Sequence, residues 1–411
     1  MTTLRTLSIA AALLCGAAPA LAETATTDSA ETAEAPDVII VTGQRREYGV
    51  RSTATATRTN TDIRNIPQAL TVISESQIED QALRSIADLL TFVPGATPGT
   101  GEGNRDQMTL RGNNTTADFF VDGIRDDVQY FRDLYNLDRV EVLRGSNAMI
   151  FGRGGGGGVV NRVTKRSSLA PYREFRAAGD SEGGMRLTGD IDQPLGGRAG
   201  LRVNGLYENG ESFRRHVDLE RYAVNPTLAF LPGPDTRIDL SYEYVHDRRT
   251  ADRGVPANGD EPLKGFDTTF FGDPDDSFAK AGVHLATLAV EHNFDEFTIR
   301  NRTLYGHYDK FYQNIYGSNF DEDADVGEDE VVLDAYNSRN DRRNLISQTD
   351  LIWENRLAGI DQTLLLGFEL GRQKSRNVRL TGHFAGGDNR VPLADPTVVA
   401  SLKDQYESQE S

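Results

Sequence analysis

The sequence has little of several features that identify familiar protein classes. It contains one cysteine and one tryptophan in 411 residues, and no run of 18 apolar residues, so neither a disulfide scaffold nor a membrane-spanning helix is indicated. Its 44 basic side chains are outnumbered by 62 acidic ones, which argues against nucleic-acid binding because no basic surplus neutralises phosphates. The sequence is rich in glycine, tyrosine and phenylalanine, with 40, 14 and 18 residues. This composition is typical of turns and aromatic-rich strands.

The one cysteine, Cys15, lies in a segment with the features of an export signal. An apolar run over 7–18 is followed by small residues, which predicts cleavage before Glu23. The alternative is a lipoprotein anchor at Cys15, but Leu14 stands where a small residue is preferred. Residues 1–22 are therefore predicted to be a signal peptide, and the mature chain would contain no thiol.

Charge divides the remaining chain into two regions that meet near Arg166. Residues 37–166 carry 16 basic and 16 acidic side chains, whereas residues 167–411 hold a net charge of −15. A polar, acidic stretch over 23–36 precedes both regions and is predicted to be a disordered tail.

A short strand pattern, DVIIVTG at 37–43, has no obvious partner nearby. Its free backbone N–H and C=O groups would allow it to add to the sheet edge of another protein. The alternative is an ordinary edge strand of the domain that follows.

The first region has an α/β pattern. Ser74 with Gln77, and Ser85 with Asp88, predict two helix starts of the capping-box kind. Strand-like runs follow at 108–111, 117–121, 139–143 and 159–163. Between them, the segments 96–107 and 124–133 are rich in charge and are predicted to be exposed loops.

The second region alternates apolar and polar residues with a period of two. The clearest run, Thr236–Val245, places Ile238, Leu240, Tyr242 and Tyr244 on one face. About nine such runs are separated by polar segments of unequal length. A soluble sandwich would also alternate, but an exported chain with one aromatic and one charged face per strand favours a transmembrane barrel.

Four local patterns resemble catalytic or metal-binding motifs without their required context. The dinucleotide pattern at Gly152–Gly157 precedes the strand-like run 159–163 rather than a helix. The serine-elbow pattern at 179–183 lies between two strand-like runs and fits a hairpin turn. The acidic run 321–330 lacks the glycine and glutamate of an EF-hand, and the six histidines show no zinc-type spacing. We therefore predict neither an enzyme nor a metal site.

Several motifs occur in order along the first region: IRNIPQALTVIS (63–74), DLLTFVPG (88–95), MTLRG (108–112), FFVDGIRDD (119–127) and RDLYNLDRVEVLRGSNAMIFGRGGGGGVVNRVTKR (132–166). Together they resemble the plug of TonB-dependent outer-membrane receptors, and their sequences are most similar to the siderophore branch, which includes the catecholate receptors. The resemblance covers residues 37–166. It is the only feature of the sequence that suggests a role in iron uptake.

This resemblance implies a division of the chain into a TonB box at 37–43, a plug domain at 44–166 and part of an antiparallel transmembrane β-barrel at 167–411. The fold class expected is thus an α/β plug followed by a partial barrel. The family's barrel has 22 strands and about nine are recognised here, so we expect this sequence to be the N-terminal part of a longer protein. The short segment before the TonB box leaves no room for an additional signalling domain.

The resemblance also implies functional residues. Three groups are expected: the TonB-binding residues Asp37, Val38, Ile39, Ile40, Val41 and Thr42; the plug–barrel coupling residues Arg111, Glu141 and Arg144; and the ligand-binding residues Arg105, Arg125, Tyr130 and Arg132. For the third group, cationic and aromatic side chains suit an anionic aryl chelate.

The function implied is active transport of a ferric siderophore across the bacterial outer membrane, gated by the plug. The expected partners are TonB with its inner-membrane energising complex, the ferric siderophore as transported ligand, and outer-membrane lipid, with no nucleic acid and no covalently bound cofactor. Two alternatives stay open: uptake of another scarce nutrient, such as a vitamin, metal chelate or carbohydrate, and a surface binding protein that does not transport.

Overall fold

The structure is a computed structural model that describes residues 48–145, 148–152, 155–321, 329–384, 389–397 and 406–408. The predicted signal peptide, the acidic tail and the TonB box lie outside the described residues. Most of the acidic run at 321–330 lies outside them as well.

The first region forms a mixed five-stranded sheet in the order β3-β9-β10-β7-β8, with a separate three-stranded sheet β4-β5-β6. Strand β10 runs parallel to β7 and antiparallel to β9. The elements are β1 (Ser52–Thr53), β2 (Thr61–Asp62), a 3-10 helix (Ile63–Asn65), β3 (Ala69–Ser74), α1 (Glu75–Asp80), α2 (Ile86–Leu90), β4 (Ala96–Gly99), β5 (Gln107–Leu110), β6 (Asn113–Thr115), β7 (Phe119–Val121), β8 (Ile124–Arg125), β9 (Leu137–Arg144), α3 (Ala148–Phe151) and β10 (Gly158–Thr164).

Both predicted helix starts are confirmed. Ser74 caps α1 by accepting a hydrogen bond from the Gln77 N–H, and Ser85 with Asp88 forms a complete capping box at α2. The apolar face of α2 is fully buried in the main core of this region. The core therefore fixes the sheet and both helices as one packed body.

The glycine tract is followed by strand β10, as the β-prone sequence predicted. A Cβ on Gly157 would lie 2.3 Å from the Leu110 carbonyl oxygen, and one on Gly158 would lie 2.4 Å from that of Leu143. Gly157 and Gly158 thus lie at a tight backbone crossing with no space for a side chain.

The second region is one large antiparallel sheet in which nine long strands are neighbours in chain order. The strands are β11 (Tyr172–Gly179), β12 (Met185–Pro194), β13 (Ala199–Glu211), β14 (Asp218–Gly233), β15 (Thr236–Thr250), β18 (Phe278–Phe294), β19 (Phe297–Asp321), β20 (Glu330–Leu357) and β21 (Ile360–Gly382). The short strands β22 (Arg390–Pro392) and β23 (Tyr406–Ser408) pair with β20 and β21, and the short strands β16 (Ala257–Asn258) and β17 (Glu261–Pro262) form a separate two-stranded sheet. The predicted period-two runs are confirmed, and most strands are longer than their runs.

The connections differ between the two ends of this sheet. At one end, the turn end, β14–β15, β18–β19 and β20–β21 are joined by two residues each. At the other, the loop end, the connections are longer and include the segment 251–277 between β15 and β18. The hairpin turn predicted at 179–183 is confirmed: residues 180–184 join β11 to β12 at the loop end.

The two faces of the sheet differ in chemistry. Leu240 on β15 pairs across strands with Leu228 and Leu288, and these side chains are 51%, 38% and 40% exposed. The opposite face buries charged side chains such as Asp239 and Glu243. An apolar exposed face on long strands is typical of contact with lipid. No described helix has the length and apolarity needed to cross a bilayer.

Candidate functional site

The candidate site lies where the first region, here called the plug, packs against the charged face of the large sheet. The segment 124–133 was predicted to be an exposed loop, and this prediction is wrong: Ile124, Asp126, Tyr130 and Arg132 are all buried. Its apolar side chains pack against those of five strands of the sheet. The charged residues of this segment are therefore held between two layers of protein.

Asp126 is the centre of a buried hydrogen-bond cluster. It accepts hydrogen bonds from Arg132 Nε at 2.9 Å, Arg162 Nη2 at 2.7 Å and the Tyr130 hydroxyl at 2.8 Å. The Tyr308 hydroxyl on β19 donates to the other carboxylate oxygen at 3.1 Å. Burial would raise the pKa of Asp126, but the charges of Arg132 and Arg162 outweigh it and hold that pKa below its usual range.

Arg132 and Tyr130, two of the four predicted ligand contacts, are parts of this cluster. The Arg132 guanidinium is fully buried and also donates to the carbonyl oxygens of Val128 and Asp126, both at 2.7 Å. It lies over the rings of Tyr130 and Phe119, with its carbon 4.3 Å and 4.4 Å from their centroids. Neither side chain has a free surface in this conformation, so both have a structural role here.

Arg125, the third predicted contact, is also buried, at 9% exposure. Its Nη1 donates to the Ala117 carbonyl oxygen at 3.4 Å, and its guanidinium carbon lies 5.1 Å from the centroid of the Phe120 ring. It thus packs within the plug.

A second charged cluster joins the plug to the sheet through Asp133. Arg186 on β12 donates to both Asp133 oxygens at 2.7 and 2.8 Å, and Arg221 on β14 donates at 2.7 Å. Arg221 also donates to Asp247 on β15 at 2.7 Å, and Arg249 completes the row with a 2.9 Å bond to Asp247. Alternating charges therefore connect the plug to three strands.

Further polar contacts extend this interface along the sheet. They are Arg342 with Asp127 (2.6 Å), Lys310 with the Asn104 side-chain oxygen (2.7 Å), Asn136 with Glu243 (3.0 Å), Lys165 with Asp190 (2.9 Å) and Arg58 with Asp350 (3.1 Å). All of them pair a plug residue with an inward-facing residue of the sheet.

The predicted coupling residues Arg111, Glu141 and Arg144 make their described contacts inside the plug. Glu141 accepts from the Thr53 hydroxyl at 2.8 Å and from Arg139 Nε at 2.6 Å, and Arg144 Nη1 donates to the Pro94 carbonyl oxygen at 2.7 Å. No contact of the three with the large sheet occurs within the described ranges. Their coupling role stays a prediction.

Arg105, the fourth predicted ligand contact, lines a cavity of about 500 Å³ between the plug and the sheet, here called the loop-end cavity. Its charged lining consists of Arg105, Lys310, Arg342 and Arg379 with Glu102 and Asp127. Arg105 pairs with Glu102 at 2.8 Å. Cations thus outnumber carboxylates two to one around the cavity.

Two of these cations have no carboxylate partner in the part of the chain that the structure describes. Lys310 donates only to the Asn104 amide oxygen, and Arg379 lies over the Tyr336 ring at 4.0 Å from its centroid. Tyr312 lines the same cavity and meets Tyr336 edge to face at 5.6 Å. Unpaired cations beside aromatic rings suit a planar anionic group. The described residues contain no cluster of three or more metal-ligating side chains.

Residues 62–159 match the family model "TonB-dependent Receptor Plug Domain". This part of the chain is a plug domain of the TonB-dependent receptor kind. Receptors of this family are transport proteins of the bacterial outer membrane, and the outer membrane is the localisation of this chain. The large sheet corresponds to part of the barrel of these receptors.

Three relatives illustrate the family. The probable TonB-dependent siderophore receptor PiuA of Acinetobacter baumannii is 30% identical over 58% of this chain and 34% of its own. The catecholate siderophore receptor Fiu of Escherichia coli K12 is 31% identical over 57% and 34%. The metal-pseudopaline receptor CntO of Pseudomonas aeruginosa is 30% identical over 84% and 48%. The chain therefore spans one third to one half of the length of these relatives.

Solved structures agree on the fold. The crystal structure of PiuA from A. baumannii superposes with a TM-score of 0.77 at 24% identity, covering 88% of this chain and 55% of that one. At this identity the match supports the fold alone.

Sequence reasoning missed the residues that join the plug to the sheet, Asp126 and Asp133 above all. A usable signal was present on the strands: charged residues at every second position mark the face opposite the lipid-exposed one, as in Arg300 and Arg302 of β19. Which of those charges meet which plug residues depends on packing between segments far apart in sequence, and no local pattern encodes it.

Proposed function

We propose that this receptor takes up an anionic metal chelate, a ferric siderophore of the catecholate class, across the outer membrane, gated by the plug and energised through TonB. The observation that carries the proposal is the loop-end cavity, where Lys310 and Arg379 have no described carboxylate partner and lie beside tyrosine rings. A catecholate chelate carries negative charge on aryl groups, which suits both features. Fiu, a relative, is a catecholate siderophore receptor.

The proposal assigns the two ends of the sheet to the two sides of the membrane. Outer-membrane barrels have short periplasmic turns and longer extracellular loops. The loop end then faces outside, so the loop-end cavity is the entry side. The segment at 37–43 would lie in the periplasm and pair with TonB, which supplies energy from the inner membrane. The protein is then a transporter rather than an enzyme.

The test is uptake by an E. coli strain that lacks its own catecholate receptors and expresses this receptor. We expect radiolabelled ferric catecholate to be accumulated, and ferric hydroxamate, cobalamin and maltodextrin not to be. Deletion of residues 37–43 should abolish accumulation while leaving surface binding unchanged. Uptake that survives the deletion would contradict TonB dependence, and binding without any uptake would favour a surface binding protein.

The cavity is tested separately by Arg379→Gln and by the control Arg379→Lys. We expect the glutamine variant to weaken surface binding of the chelate about tenfold, the usual scale for loss of one charge-assisted contact, and the lysine variant to lose less. Equal affinity in all three proteins would remove this cavity as the entry site.

A second candidate is a chelate of a metal other than iron. The relative that covers the largest share of this chain among the three described, CntO, is a metal-pseudopaline receptor. Including nickel-, cobalt- and zinc-loaded carboxylate chelates in the uptake panel separates the two candidates directly.

A further inference from the structure

A second cavity lies between the plug and the sheet at the opposite, turn end, and it is here called the turn-end cavity. Its volume is about 580 Å³. Its arginines include Arg58, Arg166, Arg237, Arg300 and Arg302, and seven arginines in all face three aspartates in its lining. The lining therefore carries more positive than negative side chains, and carboxylates just outside it, such as Asp239 and Glu291, pair with some of the arginines.

One of these cations has no carboxylate partner in the described part of the chain. Arg302 on β19 donates a single hydrogen bond, from Nη1 to the Asp122 carbonyl oxygen at 3.2 Å. The neighbouring arginines are paired, as in Arg58 with Asp350 at 3.1 Å and Arg300 with Glu291 at 2.7 Å. Since a guanidinium has five N–H donors, Arg302 retains donors for an additional anion.

The two cavities lie along one face of one strand. Every second residue of β19 points to the plug, so Arg302 and Lys310 share that face. They are eight residues apart, which is about 26 Å along an extended strand. Between them Leu304 packs against Ile124 of the plug, and Tyr308 bonds to Asp126. The plug thus closes the route between two cationic cavities.

We propose that the turn-end cavity is a second anion-binding site, with Arg302 as its free donor, that takes a multivalent anion on the periplasmic side of the plug. The physical reason is that seven guanidinium groups around one water-accessible cavity attract counter-charge, and one of them lacks it. The occupant is an organic polyanion in transit or a small free anion such as phosphate. The site itself does not depend on the proposed function, whereas its placement on the periplasmic side and its use in transit do.

Binding is tested with inorganic pyrophosphate as probe and the detergent-solubilised receptor, purified from outer membranes, by calorimetry at low salt. We expect a site at the turn-end cavity whose affinity falls about tenfold in Arg302→Gln, as for loss of one charge-assisted hydrogen bond. Arg302→Lys should keep most of that affinity, and Arg379→Gln at the other cavity should leave the affinity of this site unchanged. No binding, or binding that responds to Arg379→Gln instead, would overturn the proposal.

A second measurement covers the case in which Arg302→Gln disturbs folding. Crystals of the unaltered receptor soaked in tungstate should show anomalous density beside Arg302, and density confined to other places would overturn the proposal. The occupant is then distinguished by uptake: a slower rate in Arg302→Gln at unchanged surface affinity identifies the transported chelate. An unchanged rate identifies a free anion, and that result holds whether or not the chelate is a catecholate.

Discussion

Asp126 shows how one carboxylate can hold a plug together and also fasten it to its barrel sheet. Four side chains donate to it, three from the plug and one, Tyr308, from β19. Removing one member of a buried charge pair leaves the other members unpaired in a low-dielectric interior, which costs more than the pair contributes.

We therefore expect Asp126→Asn to lower the free energy of opening of the plug by about 3–5 kcal/mol. The measurement is hydrogen exchange of the β9 and β10 amides in the detergent-solubilised receptor. Asp138→Asn is the matched control, because Asp138 pairs with Arg139 at the surface with a side chain that is 49% exposed, and such pairs contribute about 0–1 kcal/mol. Equal exchange rates in both variants would rule out this role of Asp126.

The pH dependence of the stability of the plug should follow the ionisation of Asp133. Burial would raise the pKa of Asp133, but the charges of Arg186 and Arg221 outweigh it and lower the pKa. A carboxylate with a lowered folded-state pKa contributes stability above its unfolded pKa of about 4, and that contribution is lost as the pH falls further. Asp106 opposes this trend, since burial, the largest influence, outweighs the charge of Arg132 and raises its pKa.

We expect proteolysis of the 124–133 segment to accelerate as the pH falls below about 4, because the stability that the charge of Asp133 contributes is lost in that direction. Pepsin digestion followed by mass spectrometry measures this directly. Asp133→Asn should be cleaved readily at every pH in that range, so its profile should be flat. A flat profile in the unaltered receptor would show that other groups control the transition.

At the scale of elements, the glycine tract makes a close crossing possible. Gly157 approaches the Leu110 carbonyl oxygen so closely that a Cβ would lie 2.3 Å from it, whereas a Cβ on its neighbour Gly156 would meet only the Asn113 side-chain amide at 3.9 Å. A single added methyl group would therefore clash with the backbone at Gly157 but would fit at Gly156.

We expect Gly157→Ala to destabilise the plug by about 1–3 kcal/mol, the usual cost of overpacking, and Gly156→Ala to leave it nearly unchanged. Both are measured by hydrogen exchange of the β5 and β10 amides. Equal effects at the two positions would mean that the loss of plug stability comes from backbone entropy and not from the close contact at Gly157.

Elements were the part of this fold that the sequence predicted best, because their signals are local. Capping residues such as Ser85 and the period-two runs of the sheet depend on neighbours within a few residues. The candidate site was predicted poorly for the opposite reason. Charged residues such as Arg132 look like exposed loop residues until a sheet from a distant part of the chain covers them. Arg105 alone among the four predicted contacts lines a cavity suited to an anion.

At the scale of the whole molecule, the outward face of the sheet should tolerate bulk but not charge. Leu240 lies in an apolar row with Leu228 and Leu288. Arginine near the bilayer midplane costs about 2–4 kcal/mol in such barrels. We expect Leu240→Arg to reduce the amount of receptor assembled in outer membranes, and Leu240→Phe to assemble normally. Cell fractionation and heat-modifiable gel mobility measure this, and normal assembly of the arginine variant would argue against lipid contact at this row.

The row of charges through Asp133 also sets an order of assembly. In export led by the predicted signal peptide, the plug residues would arrive first. The partners of Asp133 come later in the chain, Arg186 by 53 residues and Arg221 by 88 residues. Tyr308 reaches Asp126 only after 182 residues. Until those strands arrive, burying the carboxylates would leave them unpaired. We therefore expect the plug segment to remain hydrated after export. It would reach its final packing only when the strands that pair with it have formed the sheet.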